Sequence, residues 1–191
     1  IGGVAGDQQA ALAHILAVID DVIGDSNYDV GHTFSTGGGG LATLNAPCVS
    51  GNKARGITGL SAPVGDPYDV DFVAHELGHQ FGAPHTFNGD AGNCAGGNRT
   101  ASNAYEPGSG TTIMAYAGIC GTDNVQSNSD AYFHQKSLQM IWDNVTTGNS
   151  TCGAQTATGN AAPTAEAGSN YIIPMSTPYM LTGSSTDADG T

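Results

Sequence analysis

An α+β fold is predicted by three features of the sequence: separate stretches with helical periodicity, short β-prone runs between them, and too much glycine for a helical bundle. The 191 residues include 29 glycines, and 39% of them are hydrophobic. Such a chain can bury one core yet should be rich in turns and loops, and its length suits one domain with a short appendage.

The elements follow in order. From Asp7 to Gly24, Leu12, Ile15, Leu16, Ile19, Val22 and Ile23 recur at the spacing of one helical face, with Asp7 suited to the N-cap and Gly24 to the stop. Tyr28 to Ser35 reads as a strand, Gly37 to Gly40 as a glycine loop, and Leu41 to Leu44 as a second strand. A second helix is expected from Asp69 to Phe81, turning Phe72, Val73, Leu77 and Phe81 inwards and ending at Gly82. Residues 86–128 hold no sustained period and read as irregular loop around one short apolar stretch, Ile113-Met114-Ala115-Tyr116. A third helix is expected from Ser129 to Asn144, with Phe133, Leu138, Met140, Ile141 and Trp142 available to the core. From about Thr156 the composition shifts to Ala, Thr, Gly and Pro, which reads as a linker followed by strands between Ile172 and Leu181. The expected division is 1–155 and 156–191.

Seventeen Asp plus Glu against four Lys plus Arg give a formal charge of -13. That field repels phosphate backbones, which removes nucleic acid from the candidate partners, and no apolar run is long enough for membrane insertion. The four cysteines, Cys48, Cys94, Cys120 and Cys152, are widely spaced with no C-x-x-C pair. Two disulfides in an oxidising, extracytoplasmic setting fit this better than a zinc knuckle or dithiol chemistry.

Residues 75–85, His-Glu-Leu-Gly-His-Gln-Phe-Gly-Ala-Pro-His, match H-E-x-x-H-x-x-G-x-x-H at every fixed position. Chance would produce this in a chain of such size on the order of once in 10^5. His75 and His79 project from one helical face and can share a metal; Gly82 can take the positive φ that turns the chain sharply, so that His85 returns as a third ligand. Three neutral imidazoles with a fourth position for water are the arrangement of catalytic zinc. Glu76, beside the first ligand, is placed to act as general base on that water. His14, His32 and His134 read as isolated residues.

This motif resembles that of the metzincin clan of metallopeptidases, and the resemblance covers about residues 7–152. It implies a metzincin-type α+β fold: a mixed twisted sheet with two helices, one carrying the zinc ligands, then an irregular C-terminal subdomain with one long helix. Met114 would sit in the clan's methionine turn, supporting the histidines without ligating, and Tyr116 would ligate zinc or stabilise an oxyanion, as in the astacin and serralysin branches. The stretch from His75 to Asn88 and the Thr-Ile-Met-Ala-Tyr turn look most like the reprolysin-like (adamalysin-like) bacterial peptidases; the pappalysin branch, which also favours His-Thr-Phe after the third ligand, is the rival. Only 74 residues precede His75, fewer than the clan's layout uses, so the first strands are expected to be missing or held separately. Gly40, Leu41, Ala42 and Thr43 would form the edge strand that accepts an extended peptide.

Among three possible connectivities, Cys48–Cys152 and Cys94–Cys120 are favoured. Asp123, Asp130 and the Asp187-x-Asp189-Gly stretch are candidates for calcium, although such residues usually serve as turn formers. Residues 161–191, through 170–174 and 181–184, resemble the opening strands of an immunoglobulin-like PKD or cadherin-like module. The expected function is a secreted, monomeric zinc metalloendopeptidase acting on protein or peptide substrates. The rivals are a secreted adhesin or matrix-binding module with a structural zinc, and an incomplete, inactive peptidase fragment. Glu76 separates them, because a structural site has no use for a base beside its ligand.

Overall fold

The computed structural model describes residues 4–190, with side chains from residue 10 onward. The chain divides into two compact units, Ile1–Gly153 and Ala154–Thr191.

The first unit is α+β. Helix α1 spans Val4–Val22, so Asp7 lies within it rather than capping it. Leu12 is buried, as its period predicts, but Val22 and Ile23 face solvent at 76% and 49% exposure. Gly24 then turns the chain at φ 88°. Strands β1 (Thr33–Ser35), β2 (Gly39–Ala42) and β3 (Gly56–Gly59) form one mixed sheet in the order β1-β3-β2. Ile57 of β3 faces Thr33 in a parallel pair and Leu41 in an antiparallel pair. Gly39 and Gly40 belong to a strand, not a loop, and the central strand, Gly-Ile-Thr-Gly, had no counterpart in the sequence reading. A four-residue strand buried throughout shows no alternation to detect. Its glycines are needed for close approach: a Cβ on Gly56 would lie 2.4 Å from the Gln80 carboxamide and 2.6 Å from His32.

The metal-motif helix runs without a break from α2 (Asp66–Tyr68) through a π-helical segment, Asp69–Ala74, into α3 (His75–Gln80). Val70 and Ala74 pack on Ala83, Ile113 and Met114, together with Phe133 and Ile141. Gly82, at φ 108°, ends the helix. The bonds Ala83 N–H to Gly78 O and Gly82 N–H to His79 O, both 2.9 Å, are those of a Schellman motif with glycine at C′.

Helix α4 spans Gln135–Thr146 and starts six residues later than expected from the sequence. The preceding segment is held by other partners: Ser129 N–H donates to the Asp71 carboxylate at 2.7 Å, and Asp130 N–H to Thr111 O at 2.7 Å. His134 Nδ1 caps the helix by accepting from Lys136 N–H at 3.0 Å. Ser137 and Asn144 mark the inward face, leaving Leu138 and Trp142 exposed at 53% and 64%, against expectation. Disulfides join Cys48 to Cys152 and Cys94 to Cys120.

In the second unit β4 (Thr164–Glu166) pairs antiparallel with β5 (Ser184–Thr186). The strands expected between Ile172 and Leu181 are absent, and the apolar residues there, Ile172, Met175, Met180 and Leu181 among them, are exposed. Apolar composition alone does not make a strand when no neighbouring strand or facing layer covers it, and two short strands do not complete a sandwich.

Candidate active site

His75 and His79 lie one turn apart on α3, and the turn at Gly82 brings His85 back to them. The Nε2 atom of His85 is 3.2 Å from that of His75 and 3.0 Å from that of His79. Each ring's other nitrogen meets a backbone carbonyl: His75 Nδ1 with Ile113 O at 2.6 Å, His79 Nδ1 with Ala83 O at 2.7 Å, and His85 Nδ1 with Asn98 O at 2.6 Å. A carbonyl can only accept, so each Nδ1 carries the proton and each Nε2 offers a lone pair to a common point. A tetrahedral zinc about 2.0–2.1 Å from each ligand would hold their nitrogens about 3.3–3.4 Å apart. The three imidazoles fit such an ion. Burial, reinforced by the other rings, holds His75 well below its ordinary pKa, and burial likewise brings His79 to about 3 and His85 to about 4. All three are therefore neutral at neutral pH, the form a metal requires.

Around them stand three further side chains. Met114 is fully buried under the helix, and a Cβ on Gly78 would lie 2.3 Å from its sulfur. Tyr116 packs its ring 4.5 Å from that of His85 and 5.5 Å from that of His75, centroid to centroid. Burial, with the Glu76 carboxylate second, pushes its hydroxyl up to about 12. Glu76 is buried against β2, where the missing Cβ of Gly40 would otherwise sit 2.2 Å from Oε1. Its Oε2 has no hydrogen-bond partner. Burial alone pushes its carboxyl up to about 8.

A family model of reprolysin-like M12B metallopeptidases matches residues 4–143. The chain belongs to this family. Neither the curated proteins nor the solved structures gave a match. Membership of the M12B family, together with the imidazole geometry, makes the protein a zinc metallopeptidase and decides for the reprolysin-like branch over the pappalysin-like one.

Two parts of this metallopeptidase site escaped the sequence reading. Glu106 accepts hydrogen bonds from the hydroxyls of Thr86 and Thr112, both at 2.5 Å, and from the N–H groups of Thr111 and Thr112 at 2.8 and 3.1 Å. Burial pushes its carboxyl up, but these four donors outweigh it and hold the group below its ordinary value. His32 is not isolated: it bonds Gln80 Oε1 and Thr58 Oγ1, both at 2.7 Å, tying α3 to β3. Nothing short of the folded chain signals either network, since the partners stand up to 48 residues apart.

The calcium expectation is not supported. Asp123 Oδ2 accepts from the N–H groups of Asp90 and Ala91, and Asp187 Oδ1 from those of Asp189 and Gly190, so both organise turns. Among the described residues the candidate metal-holding group is His75, His79 and His85. No helix among them is long and apolar enough to cross a membrane.

Proposed function

We propose that the protein is a secreted zinc endopeptidase in which Glu76 is the general base. The observation that carries this reading is the buried Glu76 carboxylate, whose Oε2 has no hydrogen-bond partner, beside three imidazoles whose lone pairs converge. Zinc, when bound, polarises a substrate carbonyl and acidifies water. Glu76 takes the proton of the attacking water and returns it to the departing amine, and burial has moved it towards the pH at which such a group can do both. Tyr116 keeps its proton at neutral pH, so its hydroxyl donates a hydrogen bond to the developing oxyanion. Met114 supports the ligand helix from below. The substrate strand pairs with β2, whose only partner among the described strands is β3, through Gly40, Leu41, Ala42 and Thr43. Two disulfides support an oxidising, extracellular setting.

The test is cleavage of a quenched fluorescent casein by the wild-type chain and by Glu76→Ala, with zinc content measured on both. Activity lost with zinc retained is the expected result. Equal rates, or none from either, would instead support a binding module or an inactive fragment.

A further inference from the structure

Glu106 is a buried carboxylate that the proposed reaction does not use. It joins two segments that both border the metal centre. Thr86 directly follows His85, and Thr112 stands two residues before Met114. One oxygen, Oε1, takes the Thr86 and Thr112 hydroxyls; the other, Oε2, takes the Thr111 and Thr112 N–H groups. The backbone repeats the connection, with Glu106 N–H to Thr86 O at 2.9 Å and Thr86 N–H to Met114 O at 3.1 Å. Asn103, also buried, holds the carbonyls of Pro84 and His85 from the same stretch of chain, at 3.1 and 3.0 Å.

We propose that Glu106 is a positioning residue of the metal centre, fixing the segment that carries His85 and the Met114 turn against each other so that the third imidazole is set before metal arrives. This rests on the zinc-peptidase reading. His85 is the ligand most in need of such a hold, because it stands outside α3, whereas His75 and His79 are set by helical spacing. Four donors converge on one side chain, and a two-oxygen anion satisfies all of them. A glutamine can still hold all four groups: its oxygen accepts both N–H groups while its NH2 donates to the two threonine oxygens, whose own hydrogens then turn elsewhere. A leucine can satisfy none.

The experiment is zinc competition against a chromophoric chelator, using the full chain as wild type, Glu106→Leu, Glu106→Gln and Thr86→Val. Each is measured at a temperature where circular dichroism shows it folded, and the cobalt-loaded absorption spectra are recorded alongside. Glu106→Leu is expected to weaken zinc binding about 10–100-fold and to shift the cobalt bands, Thr86→Val to fall between, and Glu106→Gln to stay within about threefold of wild type. Lys53→Met, which removes a buried lysine paired with Asp25 at 3.4 Å, is the control that lowers stability without touching zinc affinity. Wild-type affinity in Glu106→Leu overturns the proposal alone, and Thr86→Val decides in the same way if the leucine variant does not fold. A wild-type chain that takes no zinc overturns the peptidase reading and this proposal with it.

Discussion

Glu76 and Glu106 are equally buried, at 7% exposure each, yet their surroundings treat the same carboxyl group in opposite ways. The region around Glu76 offers its Oε2 no donor, and burial acts unopposed, lifting the group to about 8. Around Glu106 four donors converge, and their bonds overcome burial and favour the charge. Burial alone therefore does not fix the state of a buried acid; donors aimed at it can reverse the direction. An underprovided carboxylate can exchange a proton, whereas a fully satisfied one can only hold structure together.

The largest effect that would sharpen this contrast is on stability. Glu106→Ala leaves four donors, three of them buried, without this acceptor and is expected to cost about 3–5 kcal/mol at pH 7, read by urea unfolding of the metal-free chain. A carboxyl held below its unfolded value contributes stability above that value and loses it as pH falls through the folded one. The gap between wild type and Glu106→Ala should thus narrow on acidification. A gap of constant size across the acid range would mean that the charge contributes nothing.

Next in size is the seat of Glu76. Gly40→Ala places a methyl group where the Glu76 carboxylate now lies, 2.2 Å from Oε1. Displacing a reacting group by about 1 Å costs on the order of 10^2 in rate. We expect kcat to fall by that factor with KM and zinc content little changed, whereas Gly38→Ala, with nothing within 4 Å of the added carbon, leaves activity intact. Equal effects of the two substitutions would show that the strand, not the seat, matters.

A smaller effect has the opposite sign to that of Glu106. Because burial raises Glu76 to about 8, the folded metal-free chain holds a proton there that the unfolded chain releases near its ordinary value of 4.5. The resulting penalty is absent below the unfolded value, grows between the two, and is complete above the folded one. Metal-free Glu76→Gln should accordingly be more stable than wild type by about 2 kcal/mol above pH 8, and the difference should vanish near pH 4. Matching urea midpoints at both ends would break the comparison.

The ligand geometry was legible in the sequence because it is local. His75 and His79 are fixed by helical spacing, and Gly82 supplies the φ of 108° that the turn to His85 demands. What stayed hidden depends on contacts between distant residues. Glu106 lies in a stretch without periodicity, and its partner Thr86 is 20 residues away. Strand β3 has two β-branched residues between glycines and is recognisable only through its partners on both sides. The error at Ile172 to Leu181 is the converse: those residues have strand-like composition, but nothing covers them.

His32 is intermediate between the two glutamates in how it is provided for, each nitrogen being matched to one partner. The chain of hydrogens is determined from one end. Gln80 Nε2 donates to Gly31 O at 2.9 Å, which turns Oε1 towards His32. Nδ1 of His32 must therefore carry the proton, at 2.7 Å from that oxygen, and Nε2 must accept the Thr58 hydroxyl, also at 2.7 Å. Burial keeps the ring below its ordinary pKa, and so neutral, which leaves the lone pair in place for Thr58. Thr58→Val keeps the shape of the side chain and removes one donor, at an expected cost of about 1 kcal/mol in urea unfolding at pH 7.5, which Thr58→Ser should largely restore. If valine were as stable as threonine, the ring nitrogen would be satisfied from elsewhere, and the one-to-one matching that ties α3 to the central strand would fail.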